Sequence, residues 1–158
     1  LSDEDVQFNT KSLDQLIKAM KDTLPRARVG ILGGKALRGQ KNFNGSNNAS
    51  IGAAHEFGNA KVPMRSFLRV PITEHLNKKM ETAGAFDKEQ LAEVLKAGSV
   101  LPWVKKIAVL AEAIVIEAFA TGGFGKWPAW KTPGYKNDGG RLLVDTGQLR
   151  DSISSDVK

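Results

Sequence analysis

Apolar residues recur at helical spacing in several separate stretches of this chain. In residues 12–24, Leu13, Leu16, Ile17, Met20 and Leu24 share one face, Ser12 with Gln15 forms a capping-box signature, and Pro25 ends the helix. Arg28 to Leu32 predicts a short strand, with β-branched Val29 and Ile31 interrupted by Gly30. Asn48 can cap a short helix running through His55. A strand with Ile51, Ala53, His55 and Phe57 on one face competes with it, and Gly58 ends either. Pro71 suits the first turn of a further helix carrying Ile72, Leu76 and Met80 on one side. Asp87 opens the next, with Leu91, Val94 and Leu95 as its apolar face and Gly98 as its stop. The strongest pattern runs over 102–120. Trp103, Ile107, Leu110, Ala111, Ile114 and Ala118 form a stripe that Val104, Val109, Val115, Ile116 and Phe119 widen until little polar surface remains. A helix apolar nearly all round is expected to be buried on most sides, in the core or at a subunit contact. Gly122-Gly123 ends it. Near the end of the chain, Asp145 or Thr146 is expected to cap a helical turn on which Leu149 and Ile153 meet at i, i+4.

Two stretches break this periodicity. Residues 33–50 are dominated by Gly, Asn, Ser and basic residues, and 122–141 by Gly, Pro, Lys and aromatic rings. Both read as long surface loops, expected to be mobile. With no repeat and no linker, the pattern predicts one domain over 1–158. Its predicted class is α+β: a small sheet packed with several helices, the longest buried near 102–120.

Composition changes this picture little. The chain of 158 residues is long enough for a hydrophobic core, and its apolar fraction of 41% is ordinary for a globular domain. It has no Cys, which excludes disulfides and thiolate metal sites and fits assembly in a reducing cytoplasm. No apolar run reaches membrane-spanning length, and no signal-peptide pattern opens the chain. The first residue is Leu1 rather than Met, so residues ahead of it are expected to have been trimmed or left out. The net charge of +6 favours an acidic partner such as nucleic acid, or simply gives a basic surface.

Two short motifs suggest enzymes. His55-Glu56 resembles the start of a zinc-protease helix, which needs a second His four residues after the first; position 59 is Asn. Asp145-Thr146-Gly147 matches the aspartic-protease triplet, but Gln-Leu-Arg-Asp-Ser-Ile follows at helical spacing where a sheet is required. Gly30 to Lys35 lacks the Gly and Ser/Thr positions of a phosphate loop. The residues therefore assign no catalytic group, metal or cofactor. Trp127, Trp130 and Tyr135, interleaved with Lys126, Lys131 and Lys136, can stack bases and meet phosphates, or anchor the loop to the core or a neighbour.

Four pieces, in order, carry a resemblance. They are Asn48 to Gly58 with its Ile-Gly-Ala-Ala-His-Glu-Phe-Gly core, Val62 to Arg69, Trp127 to Thr132, and Leu143 to Ile153. Together they resemble the phage virion morphogenesis and tail-completion family, which includes the Mu gene G-type and related minor tail or neck proteins. Ser66 departs from the family's pattern, standing where relatives commonly carry Pro or Arg before Phe-Leu; many relatives also continue with strands after the last piece. The resemblance implies a non-enzymatic virion protein at the head–tail junction or the top of the tail, assembled in the host cytoplasm without a membrane. It implies a homo-oligomeric ring, hexameric or dodecameric, docking on connector, tail-tube or terminator neighbours around the viral DNA channel.

On this reading His55, Glu56, Phe57, Gly58, Arg65, Phe67, Trp127, Trp130, Asp145, Thr146, Gly147 and Leu149 build the fold or the subunit contact. Lys35, Arg38, Lys41, Lys126, Lys131 and Lys136 are candidates for touching DNA or a partner ring. The alternative is a basic nucleic-acid-binding module, with a metal- or aspartate-dependent hydrolase further behind.

Overall fold

The computed structural model describes residues 14, 17, 18, 24–36, 47–129, 142, 143 and 147–158. The fold is α+β. Strand β1 (Ala27–Ile31) is followed by a 3-10 turn (Gly33–Ala36) and helices α1 (Asn48–Phe57), α2 (Arg69–Thr82), α3 (Lys88–Ala97) and α4 (Leu101–Thr121). A short helix α5 (Gln148–Asp151) and strand β2 (Ile153–Val157) complete it. The strands pair antiparallel, Ala27 with Val157 through to Ile31 with Ile153, so the sheet joins the two ends of the described fold. Arg28 and Asp156 face each other across it, and the Arg28 hydrogen bond holds Asp156 below the usual carboxylate range.

Helix α4 is the spine. The sheet packs along one side of it and α2 along another. The central cluster joins Phe67, Val115, Phe119, Leu143, Leu149 and Ile153, with Val29, Ile31, Ile51, Leu68, Ile72 and Trp127 packed around it. Burying such side chains is worth about 1.5–3 kcal/mol each, which makes this cluster the main source of cohesion. Gly52 lets α1 lie against it, since a Cβ there would stand 2.6 Å from Ile31 Cδ1. Helix α3 contributes only Val94 as a fully buried residue. The Trp103 indole, donating to Ala85 O at 2.9 Å, fixes the start of α4 against the end of the α2–α3 connection.

Several sequence expectations are corrected. Residues 48–57 are helical, and the cap is Asn47 rather than Asn48. Asn47 Oδ1 accepts Ser50 N–H at 2.8 Å, and Ser50 Oγ accepts Asn47 N–H at 3.1 Å. Part of the expected 33–50 loop is therefore ordered into the 3-10 turn and the start of α1. Helix α4 is not buried on most sides: Val109 is 63% and Ile116 42% exposed. Gly147, in the left-handed region at φ 75°, takes the cap position of α5 that Asp145 or Thr146 was expected to hold. Ile153 does not continue that helix but opens β2, a strand the apolar spacing concealed. The helix expected over 12–24 lies mostly outside the described residues, although Asp14, Ile17 and Lys18 are helical.

Candidate functional site

The last turn of α1 brings Glu56 to the start of α2. Helix α2 has Leu68 in its cap position, which offers no side-chain hydrogen bond to the free N–H groups of the first turn. Glu56 supplies them from the neighbouring helix. Its Oε2 accepts the N–H groups of Phe67 and Leu68, both at 3.0 Å, and its Oε1 accepts Arg69 N–H at 3.0 Å and Ser66 Oγ–H at 2.7 Å. Ser66 Oγ in turn accepts Val70 N–H at 3.0 Å. Glu56 is 5% exposed, and its charge lies at the positive end of the α2 dipole. Burying a carboxylate is costly unless its lone pairs are filled, and here four donors fill them.

Arg65 holds the other side of the same crossing. It is 1% exposed, and its backbone N–H donates to His55 O at 2.7 Å. Its guanidinium reaches the late loop: Nε donates to Pro128 O at 2.9 Å and a terminal nitrogen to Ala129 O at 3.1 Å. Burial pushes it below the ordinary guanidinium range, yet a guanidinium stays cationic at neutral pH. Trp127 completes the junction. Its indole donates to Ser66 O at 2.9 Å, and its ring meets Phe119 edge-on at 5.8 Å, while Phe119 lies 5.1 Å from Phe67. A Cβ on Gly123 would overlap the indole, so the loop after α4 needs glycine there on steric grounds as well as for its φ of +68°.

His55 is half-buried at this junction. Desolvation first, and then the Arg65 charge, push its pKa below 6.5. Its Nδ1 finds no hydrogen-bond partner among the described residues. Gly58, at φ +72°, closes α1 where a Cβ would stand 2.9 Å from Met64 N, so the chain turns back tightly toward Arg65. Phe57 and Met64 flank that turn and are 67% and 51% exposed.

The structure thus draws His55, Glu56, Gly58, Arg65, Phe67 and Trp127 into one intramolecular junction, and Leu149 into the core cluster beside it. Phe57 is exposed and takes no part in these bonds. Gly147 is buried at the start of α5. Lys35 is exposed, but its ammonium donates to Ile153 O at 3.3 Å, and Lys126 pairs with Glu74 at 2.7 Å. Trp130, Asp145, Thr146, Arg38, Lys41, Lys131 and Lys136 lie outside the described residues. Sequence reasoning missed Ser66, whose hydroxyl both donates to Glu56 and accepts from α2. The signal was present in its place two residues before the helix cap, where a small hydroxyl side chain can bond the first turn. It also missed the stacking of His75 on Phe124, with ring centroids 3.9 Å apart.

Chemically, the junction is held by the filled acceptors of Glu56 and the two carbonyl contacts of Arg65, while His55 Nδ1 has no hydrogen-bond partner among the described residues. Glu56 spends its acceptors on the start of α2, and Arg65 donates to two carbonyls of the late loop. Among the described residues, no group of three or more His, Cys, Asp or Glu could hold a metal ion, and no helix is long and apolar enough to cross a membrane. No protein-family model, no curated protein and no solved structure matches this chain.

Proposed function

We propose that this protein is a structural component of a tailed phage particle, acting without catalysis at the head–tail junction or the top of the tail. In this role copies assemble into a ring and dock on neighbouring rings around the DNA channel. The observation that carries the reading is the outward apolar face of α4, where Val109 and Ile116 stand exposed on the most apolar helix of the fold. A helix that supports the core on one side and presents unpaired apolar residues on the other suits a protomer awaiting its neighbours. The motif junction supports it further. Three of the four pieces that carry the family resemblance converge at Glu56, Arg65 and Trp127, and the fourth enters the adjoining core through Leu143, Leu149 and Ile153.

The net charge of +6 adds a non-specific attraction for DNA phosphates, as a lumen lining would need. Arg38 and Lys41 remain candidates for that contact. Lys35 bonds a backbone carbonyl and Lys126 pairs with an acid, so both have a local partner already.

Sedimentation analysis of the purified protein, followed by electron microscopy, tests the proposal. Closed rings, or rings formed on adding a connector or tail-tube partner, are the expected result. A strictly monomeric species at high concentration, together with normal virions from a phage deleted for the gene, would remove it.

A further inference from the structure

An apolar projection and an apolar hollow lie at opposite ends of α2. The projection is the turn that follows α1. Phe57 and Met64 stand exposed at its two ends, and Lys61 is exposed between them. The turn is held in shape by its own bonds. Asn59 Oδ1 accepts the N–H groups of Lys61 at 2.9 Å and Val62 at 2.8 Å, and Asn59 N–H donates to Val62 O at 2.8 Å. Apolar groups presented on a pre-ordered turn lose little freedom on binding.

The hollow lies between α3 and the start of α4. It holds about 350 Å³ and is lined by Phe86, Leu91, Val94, Val100 and Trp103, with Asp87 beside them. The Trp103 indole is fixed on Ala85 O, and Ala85 N–H donates to Met80 O at 2.9 Å, which ties this wall to the last turn of α2. Phe86 and Leu91 are exposed in a single copy. Such a hollow accepts a large ring, the kind of anchor that dominates interface energetics.

Charge matches as well. Asp87 precedes α3 but makes no capping bond with its side chain. Neither its carboxylate nor the Lys61 ammonium has an ion-pair partner among the described residues. Within one copy the two surfaces are kept apart by α2, whose 14 residues span about 20 Å at 1.5 Å per residue.

We infer that the Phe57–Met64 turn of one copy seats in the Phe86–Trp103 hollow of the next, with Lys61 set against Asp87. Projection and hollow are different surfaces, so the contact is head-to-tail, the kind that closes a ring when the rotation permits. The inference rests on the ring reading for its setting and names the surfaces that meet.

Cysteine pairing tests it on a clean background, since the chain has no Cys. Full-length Ala60→Cys and Lys88→Cys variants, both altered at exposed positions next to the charged pair, are mixed and mildly oxidised. We expect a disulfide-linked pair about tenfold more abundant than from Ala60→Cys mixed with Lys96→Cys, an exposed lysine two turns further along α3. Equal yields in the two mixtures would overturn the inference. So would an Ala60→Cys/Lys88→Cys double variant that closes its disulfide within one copy instead of giving a ladder of linked copies. Adding Phe57→Ala to the Ala60→Cys chain should lower the yield about tenfold at an unchanged circular dichroism spectrum; an unchanged yield would overturn the inference. Lys61→Glu in one chain, or Asp87→Lys in the other, should each lower the yield about threefold, and the two together should restore it. A reversed pair that stays as low as either single change would also count against the contact. A ladder without closed rings by microscopy upholds the contact and removes the ring. Rings without the Ala60–Lys88 link remove the contact and leave the ring.

Discussion

The carboxylate of Glu56 accepts the backbone N–H of Phe67 at 3.0 Å, so the end of α1 holds the beginning of α2. Because Leu68 cannot cap its own helix, loss of Glu56 leaves several N–H groups without a charged acceptor at once. Hydrogen bonds to charged groups are worth about 1.5–3 kcal/mol each, offset in part by relief of the buried charge. Glu56→Ala is expected to cost about 2–4 kcal/mol in urea unfolding. Glu56→Gln should cost nearly as much, because its amide would turn donors toward donors. A change under about 0.5 kcal/mol for both would show that Glu56 is not the clamp.

Arg65 binds two successive carbonyls of the late loop from one planar group. Lysine carries the charge but cannot span both oxygens with the same geometry. Arg65→Lys is therefore expected to loosen the Trp127 loop while leaving the helices formed. Limited trypsin digestion should then cut after Lys126 several-fold faster at an unchanged circular dichroism spectrum. Equal cutting rates would count against the tether.

Gly123 and Gly125 separate backbone strain from steric contact. Both have positive φ, +68° and +77°, but only at Gly123 would a Cβ meet the Trp127 ring; at Gly125 nothing lies within 4 Å. Gly125→Ala should cost about 1 kcal/mol, from the backbone alone. Gly123→Ala adds overpacking and should cost about 2–4 kcal/mol in the same unfolding assay. Equal costs would mean that the indole is not held where the structure puts it.

The depressed pKa of His55 gives stability a dependence on pH. The folded chain holds this ring neutral, whereas the unfolded chain takes up its proton near pH 6.5. Protons thus favour the unfolded state, so stability falls as pH drops below about 6.5 and stops falling below the folded pKa. Urea midpoints at pH 7.5 and pH 5 should differ more for the native chain than for His55→Asn. Parallel losses in the two proteins would assign the pH effect elsewhere.

How much of this was legible in the sequence follows from how local each signal is. Asp87 and Gly98 bound α3, and Gly122 ends α4, because caps and stops act within a turn of the residue that carries them. Strand β2 was hidden because Ile153-Ser-Ser-Asp-Val157 has too few apolar residues to show alternation, and its partner lies at the other end of the fold. The exposure of Val109 and Ile116 was equally hidden, since a one-dimensional pattern reports how apolar a helix is but not how many neighbours it has. His55-Glu56 was visible as a site worth testing. That Glu56 serves the helix after its own, and that Arg65 reaches across to Pro128, depended on packing between segments far apart in the chain.

The β1–β2 pairing also sets an order of events in time. The helices and their short connections can form from nearby residues. Pairing Ala27 with Val157 must close nearly the whole chain into one loop, at an entropic cost of about 4 kcal/mol for a loop of this length. Contacts so distant in sequence come late on the folding route. Breaking the cross-strand pair with Arg28→Ala should therefore leave the refolding rate nearly unchanged and raise the unfolding rate, as stopped-flow measurements in urea would read. The sheet acts as a latch that closes last, and its release sets how long the native state survives.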